Sequence, residues 1–110
     1  MMKPQKRQTQ LYRQGDVLLQ KIDRLPEGLV EKQWDKRIVL AHGEVTGHAH
    51  ALSIDEATMF TRQGERYLQV KPNAKLIHEE HATIVLPEGF YKVVQQREYV
   101  PQSAPRDVED

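Results

Sequence analysis

No stretch of this chain keeps apolar residues at i, i+3, i+4 and i+7, the pattern by which an amphipathic helix buries one face. Short β-branched or aromatic runs alternate with turn signals instead. Asp16 to Ile22 follows Gln14-Gly15, and Arg37 to Ala41 ends near Gly43. Thr58 to Thr61 and Arg66 to Val70 flank Gln63-Gly64 as the arms of a hairpin would, and Lys75 to Ile77, Thr83 to Leu86 and Phe90 to Val94 complete the set. Runs of this kind, returning roughly every 8–12 residues, predict an all-β domain, a single small barrel or sandwich. Residues 29–36 read either as a helical turn or as a long loop pinned by Trp34. Leu25-Pro26-Glu27-Gly28 recurs as Leu86-Pro87-Glu88-Gly89. Pro presets φ and Gly relaxes the exit, so both read as hairpin corners, either independent turns or traces of a duplicated half-barrel.

The chain has 110 residues, a length that fits one domain with one modest core. Its 16 basic and 16 acidic side chains cancel, but not uniformly. Residues 1–10 hold Lys3, Lys6 and Arg7 and no acid. Residues 101–110 set Arg106 against Asp107, Glu109 and Asp110, with Pro101 and Pro105. The expected organisation is a flexible basic arm over 1–10, a β domain over 11–100 and a flexible acidic tail over 101–110. A total of zero argues against nucleic acid as a partner. The basic start, with Tyr12 and Arg13, carries no RNP-like or GxxG pattern. Apolar runs of only a few residues exclude a membrane-spanning helix, and the polar start lacks the apolar region of a secretory signal, so the expected location is cytoplasmic.

No cysteine is present, which removes disulfides, thiolate metal sites and a Cys nucleophile. Ser53 and Ser103 lack a GxSxG setting, and neither GxGxxG nor GxxxxGK[ST] occurs. What remains is imidazole. His42, His48, His50, His78 and His81 fall within one 40-residue window. In an extended strand, His48 and His50 point to the same face and can converge on one ion. Gly43 and Gly47 beside them let the backbone turn sharply, and Glu44 offers a carboxylate. His78 and His81 would point to opposite faces of a straight strand, but a turn or bulge at Glu79-Glu80 brings both to one side. Strand pairing that sets His48 and His50 against His78 or His81 supplies three nitrogens, with Glu44, Glu56 or Glu80 as a fourth ligand. Such a set with an open position suits Zn²⁺ or nonhaem Fe or Mn. His42 reads as a bystander, and Glu79-Glu80 as a solvated acidic corner.

The run Gly43-x4-His48-x-His50-x5-Glu56-x7-Gly64 resembles the first cupin motif, which implies a small β-barrel with the two His and the Glu as metal ligands. The second cupin motif sets its third ligand His shortly after Pro-x-Gly. Here Lys92 follows Pro87-Glu88-Gly89, and the histidines precede it. A resemblance over more of the chain rests on Tyr12-Arg13-Gln14-Gly15-Asp16-Val17-Leu18-Leu19, on Gly43-Glu44-Val45-Thr46-Gly47-His48-Ala49-His50 and on His78 through Tyr99. These blocks resemble small uncharacterised bacterial and phage- or plasmid-borne proteins and imply no chemistry.

Two functions compete. One is a metal-binding β-barrel, extending to a metal-dependent enzyme on a small-molecule substrate in which Glu44 or Glu80 moves protons and Arg97 pairs with an anionic group. The other is a non-catalytic module that docks a protein or ribonucleoprotein partner, or assembles as a homo-oligomer through its charged ends. In it Tyr12, Trp34, Tyr67, Tyr91 and Tyr99 would serve as contact aromatics.

Overall fold

The computed structural model describes residues 10–43, 45 and 47–96. These residues form ten strands in chain order: β1 (Leu11–Gln14), β2 (Val17–Ile22), β3 (Val30–Lys32), β4 (Arg37–His42), β5 (Ala49–Ser53), β6 (Ala57–Arg62), β7 (Glu65–Val70), β8 (Ala74–Leu76), β9 (Ile84–Leu86) and β10 (Gly89–Gln95). The described residues contain no helix, so none that could cross a membrane. The strands form one six-stranded sheet in the order β1-β2-β10-β7-β6-β3 and two hairpins, β4-β5 and β8-β9, with every pairing antiparallel.

Two-residue turns set the local registers. At the β6–β7 turn Gln63 and Gly64 both take positive φ (51° and 83°), the conformation whose twist matches that of an antiparallel pair, and Arg62 faces Glu65. Residues 29–36 contain β3, which pairs with β6, rather than a helical turn. The two Leu-Pro-Glu-Gly segments are not hairpin corners. Each links strands that are not neighbours, β2 to β3 and β9 to β10, so they carry the chain across the structure.

Alternation builds the core. Val17 and Leu19 of β2, Tyr91 and Val93 of β10, Leu68 and Val70 of β7, and Ala57 and Met59 of β6 are buried from one sheet. They join Ile38 and Leu40 of β4, Leu52 of β5, Ala74 and Leu76 of β8 and Leu86 of β9 in a single cluster. Each large apolar side chain so buried contributes about 1.5–3 kcal/mol. The architecture is therefore sandwich-like and not a closed barrel: β1 and β3 remain as the edges of the large sheet, while the hairpins cover it. Tyr67 and Tyr91 are buried, and Tyr12 and Trp34 pack against the cluster, so these aromatics serve the core rather than a contact surface. Tyr99, Arg97, the arm up to residue 9 and the tail lie outside the described residues.

Two irregularities join the covering layer. Ala51 and Ile77 exchange backbone hydrogen bonds of 3.0 and 2.9 Å, linking β5 to the end of β8. In β4 a bulge between Val39 and Ala41 leaves Leu40 without a partner on β5, and Arg66 Nη1 donates to the Leu40 carbonyl at 2.6 Å from the opposite sheet. Burial lowers the Arg66 pKa below that of a solvated guanidinium.

Leu68→Ala is expected to cost about 2–5 kcal/mol, because a fully buried side chain leaves a cavity. Val85→Ala, at a side chain 53% exposed, should stay within about 0.5 kcal/mol. Equilibrium denaturant unfolding of both variants checks the assignment of inner and outer faces.

Candidate metal centre

His50 lies in β5 opposite Ala41, immediately past the β4 bulge. His78 follows the Ala51–Ile77 bridge, so the register that joins the two hairpins also sets His78 beside His50. Their ring centroids are 4.2 Å apart. The chain then bends at Glu79-Glu80, as the His-x-x-His spacing required, and His81 returns to the same side. Its ring lies 4.7 Å from that of His78 and 5.5 Å from that of His50. One ligand nitrogen from each of the three falls within 4.8 Å of the other two. His50 and His78 are buried and His81 is exposed.

Polar contacts brace this cluster. Glu79 Oε1 accepts the Ala49 N–H at 3.0 Å, tying the bend to the first residue of β5. That amide, together with its own backbone N–H, holds the Glu79 carboxyl below the usual carboxylate range. The Glu80 N–H donates to His78 Nδ1 at 3.0 Å. Gln14, buried at the end of β1, reaches His50 Nδ1 at 2.8 Å through Oε1 and donates through Nε2 to the carbonyls of Leu76 (3.0 Å) and Ala82 (2.9 Å). Two glycines close over the rings. A Cβ at Gly15, where φ is +58°, would lie 2.9 Å from His81 Nε2, and one at Gly43 would lie 2.9 Å from His78 Nε2.

His50 is neutral at ordinary pH. Burial, reinforced by His78 and His81, brings its pKa down to about 4, and Asp16 and Glu79 oppose the shift only partly. A neutral imidazole keeps a lone pair for a cation, and nearby carboxylates favour positive charge at the site.

The other predicted residues take different places. His48 precedes β5 and stands one ring outside the trio, edge-on to His78 at 5.9 Å. Its Nδ1 is 3.3 Å from Glu80 Oε2, close enough to pair but without hydrogen-bond geometry. Glu56, the acidic ligand that the cupin resemblance implied, is engaged elsewhere: Oε1 accepts the Lys75 N–H at 3.0 Å and Oε2 lies 3.9 Å from Lys75 Nζ. Lys92 pairs with Glu65 at 3.5 Å. His42 is exposed at the end of β4, and Glu44 lies outside the described residues. Gln14 and Gly15 were missed as site residues. The available signal was a polar side chain at an inward position, in phase with Tyr12, just before a two-residue turn.

Between pH 6.5 and about 4 the unfolded chain binds a proton at His50 that the folded chain does not. Stability of the metal-free protein is therefore full above pH 6.5 and falls as the pH drops through that window, by at most about 1.4 kcal/mol per unit. His50→Ala should flatten this slope in denaturant titrations at stepped pH. Gly43→Ala, at a position without positive φ, should destabilise the protein by about 1–3 kcal/mol through crowding against His78. Thermal or chemical unfolding reads it.

Comparison with curated proteins and with solved structures finds no match for this chain. A family model does match: a domain of unknown function, DUF8820, over residues 13–96. That span runs from within β1 to the residue after β10 and contains Gln14 and all three clustered histidines. The chain belongs to the DUF8820 family.

Proposed function

We propose that this domain binds one divalent transition-metal ion through His50, His78 and His81. The observation that carries the reading is the convergence of three ligand nitrogens within 4.8 Å on segments far apart in sequence. Tetrahedral donors about 2.0–2.1 Å from Zn²⁺ stand about 3.3 Å from one another. A modest closing of the cluster reaches that geometry, and the exposed His81 has room to make it. Three imidazole donors, with His78 giving up its bond from the Glu80 N–H, favour Zn²⁺ or Fe²⁺ over Mn²⁺, which prefers oxygen donors.

Three ligands leave a fourth position for water or a small molecule with an oxygen donor, approached from the exposed side at His81. A bound ion would supply Lewis acidity there. In a metal-dependent enzyme Glu80, 3.3 Å from His48 through its carboxylate, would be the group to take a proton. A self-associating module is the second reading, favoured by Leu11 and Val30, which are exposed on the two edge strands β1 and β3.

Elemental analysis of protein purified without a His tag should find about one Zn or Fe per chain. His50→Ala and His78→Ala should abolish it, and His42→Ala should leave it intact. Metal content that is absent, or unchanged in His50→Ala, would overturn the reading. Sedimentation of the same samples decides the second reading: a monomer at all concentrations contradicts self-association.

A further inference from the structure

We propose that Gln14 is a positioning residue that decides which nitrogen of His50 carries the proton and which keeps its lone pair. The metal consequence of this assignment rests on the reading above; the assignment itself does not. The Gln14 side chain is 3% exposed and makes three hydrogen bonds to three separate segments. Its Nε2 lies 3.0 and 2.9 Å from the carbonyl oxygens of Leu76 and Ala82. Carbonyl oxygens only accept, so the nitrogen must face them and the amide cannot be turned over without setting oxygen against oxygen. That fixes Oε1 toward His50. Since Oε1 can only accept, His50 Nδ1 must carry the proton and donate across the 2.8 Å contact. The neutral ring then has its lone pair on Nε2, the nitrogen that a metal would take.

A ligating imidazole whose other nitrogen donates to a neighbouring acceptor is oriented and made more basic by it. Here the acceptor is a neutral amide, so it orients the ring without adding charge. The same amide does a second task. Leu76 and Ala82 bracket the segment that carries His78 and His81, so its two donated bonds hold both ends of the bend on which the other two rings ride. One side chain on β1 thus references all three imidazoles to a common frame.

The proton position is directly readable. Long-range ¹H–¹⁵N correlation spectra of metal-free protein should show His50 as the Nδ1–H tautomer, the opposite of the Nε2–H form that dominates for a histidine side chain in water. Gln14→Met, similar in length but unable to accept, should return His50 to Nε2–H and weaken Co²⁺ binding by roughly 10–100-fold. Gln14→Glu loses both donors and sets oxygen against the Leu76 and Ala82 carbonyls, so Co²⁺ affinity should fall as the bend is released. Leu19→Ala, a buried change away from the site, should alter neither tautomer nor Co²⁺ absorption spectrum, which separates positioning from general destabilisation. A wild-type His50 in the Nε2–H form overturns the proposal whatever the variants do. So does a folded Gln14→Met variant with unchanged tautomer and affinity. The expected tautomers in a protein that takes up no Co²⁺ would uphold the role of Gln14 and overturn the metal reading alone.

Discussion

His50 can occupy the interior only as a neutral ring with its Nδ1 hydrogen bond made, and the covering layer is arranged around that requirement. An imidazole 4% exposed loses most of its hydration, so a charge on it would be only partly compensated by Asp16 and Glu79, and an unmet N–H would cost about 1–3 kcal/mol. Gln14 meets the N–H, and burial together with two neighbouring imidazoles suppresses the charge. Satisfying Gln14 in turn needs the Leu76 and Ala82 carbonyls, which places the His78–His81 bend where it lies. Polar satisfaction here propagates outward from one ring until the site is built.

Backbone irregularity gives that chain of contacts its geometry. A regular β4–β5 ladder would not leave the Leu40 carbonyl free, and Arg66 would have no acceptor there. Nor would the two hairpins be one layer without the Ala51–Ile77 bridge, which sets His50 and His78 on adjacent segments. Glu79 closes the arrangement by holding the bend to Ala49. The apolar core supplies most of the stability, but these few polar contacts decide where the imidazoles point.

Period-2 alternation made the strand class and most inner faces readable from sequence, and Gln63-Gly64 identified its hairpin outright. β3 was not readable because Val30-Glu31-Lys32 is short and entirely exposed, so nothing in its pattern marks an inner face. The Leu-Pro-Glu-Gly segments misled because turn chemistry specifies a local bend and not which strands it joins. At the site, the His78-x-x-His81 convergence was legible as a bend at Glu79-Glu80. His48 was harder: same-face parity holds only inside a strand, and β5 begins at Ala49, one residue after it. Gln14 was marked only as a polar side chain at an inward position, because the contacts that give it a role lie 36, 62 and 68 positions away.

A three-imidazole metal centre is the claim on which the functional account stands. X-ray absorption on protein loaded with one equivalent of Zn²⁺ tests it most directly. Low-Z donors at about 2.0–2.1 Å with the outer-shell scattering of three imidazole rings are expected. A zinc environment of oxygen donors without imidazole scattering, or zinc that does not remain bound at one equivalent, would contradict it.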